Sequence, residues 1–112
     1  MTKETLIDGV HLRFFTHVHA RHGGLLISEW ILELAKRHKL GGGSVFRAIA
    51  GFGRHGVLHH EEFFELADDL PVKVEFLLRE SEAETLLELV REAGVELVYA
   101  RAPTRFGVLG KE

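Results

Sequence analysis

The stretch AIAGFGRHGVLHH, residues 48–60, carries a complete G-x-G-x-x-G in Gly51, Gly53 and Gly56, with His59 and His60 close behind. Glycines at this spacing let a backbone turn sharply and approach a pyrophosphate, the chemistry of a dinucleotide clamp. Such a clamp needs a strand before the glycines and a long helix directly after them, whose free N–H groups hold the phosphates. SVFRAIA (44–50) supplies the strand, but no long helix follows. Arg54 and His55 also fill positions where small residues would admit the pyrophosphate. Asp68 and Asp69 stand near the distance expected of a ribose carboxylate, yet they precede Leu70-Pro71 instead of ending a strand. Two readings survive. The glycines permit positive φ at a sharp exit from a strand. Alternatively, their successive N–H groups form an anion-binding nest, with Arg54 adding a charge-assisted donor.

Seven of the eight histidines fall in two short stretches, HLRFFTHVHARH and HGVLHH. His17 and His19 are two apart on an expected strand and so point to one side, with His22 just beyond. Neutral imidazoles placed this way can share a divalent metal, and His55 joins them if its loop folds back. Solvated histidines at a strand end are the plainer alternative. His38 suits a helix-end cap, where a cation meets the negative end of the dipole. No catalytic constellation emerges: Ser28 and Ser44 lack a histidine partner, Ser81 suits a cap, and Glu61-Glu62 and Asp68-Asp69 read as a solvated face. Enzymatic activity is not expected.

The elements that position these residues follow from periodicity. VHLRFFTHV (10–18) alternates Val10, Leu12, Phe14, Thr16 and Val18 against His11, Arg13, Phe15 and His17, the pattern of a half-covered strand. ISEWILELAKRHKLGGG reads as a helix with Ile27, Trp30, Ile31, Leu34, Ala35 and His38 on one stripe, stopped by Gly41–Gly43. PVKVEFLLR (71–79) is a second alternating strand. SEAETLLELVREAG is a second helix, with Ser81 and Glu84 at capping-box spacing, an apolar stripe of Ala83, Leu86, Leu87 and Val90, and Gly94 after its end. VELVYAR closes with a strand. Residues 59–70 fit either a short acidic helix or an extended return, the extended form being preferred.

The order is β-α-β, an irregular span over 51–70, then β-α-β. It predicts an α+β ferredoxin-like βαββαβ sandwich: a four-stranded antiparallel sheet with two helices on one face. With 112 residues, a single domain is expected, with 1–9 and 104–112 as flexible or extended tails. Phe15, Phe46 and Val98 fall on the sheet face that the helices leave bare, so self-association is expected. The chain has no cysteine, which excludes disulfides and thiolate sites. Its net charge of −3 is spread in mixed signs, so nucleic acid is not an expected partner. No apolar run reaches the ~20 residues that span a membrane and no leader pattern opens the chain, so no direct membrane insertion and a cytoplasmic location are expected.

The run KLGGGSVFRAIAGFGRHG resembles the corresponding region of PII signalling proteins. It is more similar still to an uncharacterised PII-like family, domain of unknown function 190. The resemblance rests on Gly43, Val45, Arg47, Ile49, Gly51-Phe52-Gly53 and His55, followed by Asp69-Leu70-Pro71 and VKVEFLL, and it covers roughly 12–100. It implies a homotrimer with sheets facing inward and a nucleotide, an adenine nucleotide for choice, in the clefts between subunits. Gly51, Gly53 and Arg54 would border its phosphates, and Arg101 and Arg105 would reach in from a neighbouring subunit. The loop 51–62 would signal to a protein target, a membrane transporter being one class. The chain departs from PII proteins in three ways. His55 replaces a metal-positioning Gln, REAGVEL leaves no room for a basic glycine-rich loop, and the modified loop tyrosine is missing, Tyr99 being the sole tyrosine. A divalent-cation-binding trimer using the clustered histidines is the alternative.

Overall fold

Burial in the first strand follows its sequence alternation residue by residue. In β1 (Glu4–His17), Val10, Leu12, Phe14 and Thr16 are buried while His11, Arg13, Phe15 and His17 are not. The same holds in β5 (Pro71–Arg79), where Val72, Val74, Phe76 and Leu78 are the buried set. These observations come from a computed structural model, which describes residues 3–51 and 70–110. Between the two strands lie a two-strand hairpin, β2 (Arg21–His22) and β3 (Leu25–Leu26), helix α1 (Ile27–Arg37) and β4 (Gly43–Arg47). Helix α2 (Glu80–Ala93) and β6 (Val98–Leu109) complete the chain.

The four long strands form one antiparallel sheet in the order β4-β5-β1-β6. Each β-α-β half contributes one helix, and both helices press their apolar stripes onto the same sheet face. Ile31, Leu34 and Ala35 of α1 and Ala83, Leu86, Leu87 and Val90 of α2 join the inward residues of β1 and β5 in a single core. Phe14 and Phe76 meet edge-on at its centre, centroids 6.3 Å apart. This is the ferredoxin-like sandwich that the order of elements predicts.

The helix ends differ in detail from expectation. Helix α1 stops before the glycine run. Lys39 takes the left-handed conformation (φ 57), Leu40 N–H donates to Ala35 O and Lys39 N–H to Lys36 O, a Schellman closure made without glycine. His38 Nδ1 sits 3.0 Å from Leu34 O, the helix-end cap its position suggested. The Ser81–Glu84 capping box does not form. Strand β5 runs straight into α2 with no loop, so the helix starts at Glu80 and Glu82 accepts the Arg79 N–H at 2.8 Å. Gly94 does end α2 in the left-handed region, at φ 71.

The segments 1–9 and 104–112, expected as flexible or extended tails, are extended where described and paired with each other. Glu4–Gly9 lies against Thr104–Leu109, so β1 and β6 run on past the end of β5 as a two-stranded arm. Phe106 lies close to Gly9, where an added Cβ would come 2.9 Å from its ring.

Candidate functional site

Strand β4 delivers the glycine segment to one end of the sheet. Past Arg47, Ala48 N–H donates to Pro71 O at 2.9 Å, and Gly51 then sits beside the Pro71 ring, where an added Cβ would lie 3.1 Å from Pro71 Cγ. Pro71 pairs in turn with His17 at the end of β1, and Val18 N–H donates to Leu70 O at 3.0 Å. Gly51 is therefore anchored between strand ends. Gly53, Arg54 and His55 lie outside the described residues, as do the rest of the 51–62 loop and the acidic run up to Asp69.

The histidine expectation changes at this same end. Strand β1 stops at His17, and the chain reverses through Val18 and His19 as Ala20 N–H closes onto His17 O at 3.2 Å. The period-two argument that put His17 and His19 on one side needs a strand that continues, and this one does not. Gly23 and Gly24, both at positive φ, then turn the β2–β3 hairpin. His22 leaves toward α1 and lies against Trp30, ring centroids 4.6 Å apart. Among the described residues, no group of three or more His, Asp or Glu side chains is arranged to hold a metal ion. His17, His19 and His22 are thus not brought together as a ligand set.

Arg101 and Arg105 are the donors expected to reach a neighbouring subunit's ligand. Both lie within β6, on the helix side of the sheet, and both are engaged by carboxylates. Arg101 reaches Glu84 at 2.5 Å and also Glu80, which stand one turn apart on α2. Glu84 first, then Glu80, holds its guanidinium more firmly protonated than usual. Arg105 Nε donates to Asp8 Oδ1 at 2.9 Å across the arm. An open cleft of about 520 Å³ lies here, lined by Asp8, Gly9, Glu80, Pro103, Thr104 and Arg105. The pairing was legible in part: Glu80 and Glu84 are an i, i+4 pair on one helix face. Which strand would face them was not.

Register separates the two halves of the expected anion site. Gly51 stands level with His17, whereas Arg101 pairs with Leu12, five residues back along β1, and Arg105 with Asp8. Five residues of strand are ~17 Å, and β5 and β1 lie between β4 and β6. Within one chain no mononucleotide phosphate touches both Gly51 and Arg101. The two can serve one ligand only when they come from different copies.

Among the described residues, none covers the sheet face turned away from the helices. Phe15, Phe46, Leu77 and Val98 lie on it, from 37% to 50% exposed. Phe15 pairs with Val98, and Lys73 Nζ lies 5.0 Å from the centre of the Phe46 ring. Between these apolar groups runs a polar strip. Glu75 accepts from Lys73 at 2.9 Å and contacts His11 Nε2 at 3.0 Å. Lys73 first, then His11, pulls the Glu75 carboxyl below its ordinary range. Arg13, directly opposite Glu75 in register, has its Nε buried with no hydrogen-bond partner.

Comparison with known proteins decides the family. The model of domain of unknown function 190, described as "Uncharacterized ACR", matches residues 9–100. The chain belongs to this family. It is 36% identical over 96 residues to the UPF0166 protein of Aquifex aeolicus (strain VF5), spanning 79% of this chain and 91% of that one. Among solved structures it is similar in fold to CPII from Thiomonas intermedia K12 bound to ADP, AMP and acetate. The TM-score is 0.60 at 16% identity, over 91% of each chain. The apo form of CPII, described as a nitrogen regulatory PII-like protein, gives a TM-score of 0.61 at 15% identity, over 95% of this chain and 99% of that one. The family resemblance and the ferredoxin-like fold read from the sequence both hold. No helix among the described residues is long and apolar enough to cross a membrane.

Proposed function

We propose that this chain is a PII-like regulatory subunit that works as a homotrimer and binds an adenine nucleotide between copies. The observation that carries this reading is the separation of Gly51 from Arg101. A phosphate site using both residues needs two copies, and a bare apolar sheet face supplies a reason for copies to meet. Gly51, Gly53 and Arg54 of one copy would cradle the phosphates, and Arg101 and Arg105 of the next would add charge. That CPII, of the same fold, holds ADP and AMP supports adenine as the base. Arg101 is occupied by Glu80 and Glu84 in the single chain, so it must exchange them for the ligand. The loop 51–62 then carries the bound state to a protein target in the cytoplasm, a membrane transporter being one class. No catalytic step is assigned to the site.

The alternative, a divalent cation held by His17, His19, His22 and His55, draws less support, since the His22 ring lies against Trp30, tilted 58° to it. Calorimetric titration with ADP, AMP and ATP, with and without Mg²⁺, tests the proposal. Saturable heat with at least one of them is expected. No heat at millimolar nucleotide would overturn it.

A further inference from the structure

Charge at the centre of the helix-free sheet face does not balance. By register β1 and β5 set His11, Arg13, Lys73 and Glu75 there, and among the described residues Glu75 is the sole carboxylate on that face. Both of its oxygens are taken, Oε1 by Lys73 at 2.9 Å and Oε2 by His11 at 3.0 Å. Lys73 alone matches its charge. Arg13 stands directly opposite Glu75, yet its Nε is buried with no hydrogen-bond partner. A guanidinium cannot lose its proton in a protein, so the face carries one cation per chain that no described carboxylate answers.

Strand β6 leaves room beside it. Ala100 pairs with Arg13 and Ala102 with His11, so two long polar side chains of β1 stand next to two methyl groups. Phe15 and Val98, the next pair on this face, wall the space at one end. At the other end Gly9 pairs with Thr104, whose hydroxyl donates to Ala102 O at 3.1 Å. Neighbouring strands lie ~4.8 Å apart and alternate residues ~6.8 Å apart, so the four residues outline a cup of those dimensions. It suits a small ion and excludes a nucleotide. Self-association does not supply the missing charge. Each further copy brings its own Arg13, and its Glu75 is already matched by its own Lys73. Copies that meet on this face bury unanswered guanidinium groups, which is unfavourable unless an anion is buried with them.

We propose that Arg13 binds a small oxyanion in the cup over Ala100 and Ala102, enclosed where copies meet. The inference rests on the homo-oligomeric reading above for that enclosure. An oxyanion fits because the planar guanidinium offers parallel N–H donors to two oxygens at once, which a spherical ion cannot use. The site is separate from the nucleotide site. Arg101 pairs with buried Leu12 and so lies on the opposite face of the sheet from Arg13. Gly51 sits beside Pro71, level with His17, four residues or ~14 Å further along β1. An ion bound only in the assembled form favours assembly by mass action.

Sulfate is the probe, because its charge is constant across neutral pH and it carries no base or ribose. Calorimetric titration of the full-length protein with sodium sulfate, at ionic strength held constant with sodium chloride, reads binding. Light scattering counts chains per particle. Saturable heat is expected with the assembled wild type. Arg13→Gln should weaken sulfate at least about tenfold, and Arg101→Ala should leave it unchanged. An assembled wild type that gives no saturable heat overturns the anion site alone. A wild type of one chain per particle overturns the oligomeric reading and the enclosed site together. Unchanged affinity in Arg13→Gln, or an equal loss in Arg101→Ala, overturns the assignment to Arg13. Should Arg13→Gln fail to fold, wild-type crystals grown with selenate decide. Anomalous density within hydrogen-bond reach of the Arg13 guanidinium and over Ala100 is expected. Its absence there overturns the site.

Discussion

Gly43 is the position where one added methyl should do the most damage. It opens β4 and pairs with Phe76, and a Cβ built there lies 2.6 Å from Phe76 Cδ2 and 2.9 Å from Cζ. The ring cannot swing away: Phe76 is 1% exposed and is held edge-on against Phe14. Either the ring leaves its rotamer or β4 lifts off β5, and overpacking of this kind costs about 1–3 kcal/mol. For a chain of this length, 1 kcal/mol is about 4 °C of melting temperature, so Gly43→Ala should melt roughly 4–12 °C lower. Thermal denaturation by circular dichroism reads this directly. The cause is tested by Phe76→Leu, which shortens the offending ring. Alone it should destabilise through the cavity it leaves; with Gly43→Ala it should cost at least ~1 kcal/mol less. Additive effects, or a Gly43→Ala variant melting with the wild type, would refute the packing argument.

Three further outcomes follow from the same geometry. Glu75→Gln should destabilise by about 0.5–1 kcal/mol at pH 7, the scale of a partly exposed ion pair. Because Lys73 and His11 lower the folded carboxyl, that stability is present above the unfolded value near ~4.3 and is lost as pH falls through the lower folded one. Melting curves should therefore converge in acid, and a gap independent of pH contradicts the assignment. Lys39→Gly should stabilise by about 0.5–1 kcal/mol, since Lys39 holds a left-handed conformation that glycine adopts freely; urea denaturation showing no gain counts against the Schellman closure. Arg101→Ala should weaken ADP binding by about tenfold, the loss of one charge-assisted contact, and calorimetry giving an unchanged affinity removes Arg101 from the site.

The core was legible because its signal is periodic. Val10, Leu12 and Phe14, then Val72, Val74, Phe76 and Leu78, and the α2 stripe of Ala83, Leu86, Leu87 and Val90 are all buried as their spacing predicts. The bare face was legible for the same reason, since Phe15, Phe46 and Val98 are the complements of that alternation. The arm was not. APTRFGVL carries Pro103 and Gly107, residues that weaken a strand, and both are tolerated because β6 is an edge and Gly107 makes room for Leu6. The cap of α2 misled for a different reason. Ser81 and Glu84 have the spacing of a capping box, but β5 enters the helix without a loop, and Glu84 turns to Arg101 instead. For the site, local sequence identified the glycine turn and the arginines. Their distance apart depends on register across three strand pairs, which no local pattern encodes.

The central claim is that one nucleotide is shared between two copies. A crystal structure of the protein grown with ADP tests it most directly. The account predicts the phosphates beside Gly51 of one copy and the base or phosphates within reach of Arg101 of the next, with Glu80 and Glu84 displaced from that guanidinium. ADP held wholly within one chain, or Arg101 still paired with Glu80 and Glu84 while ADP is bound, would contradict it.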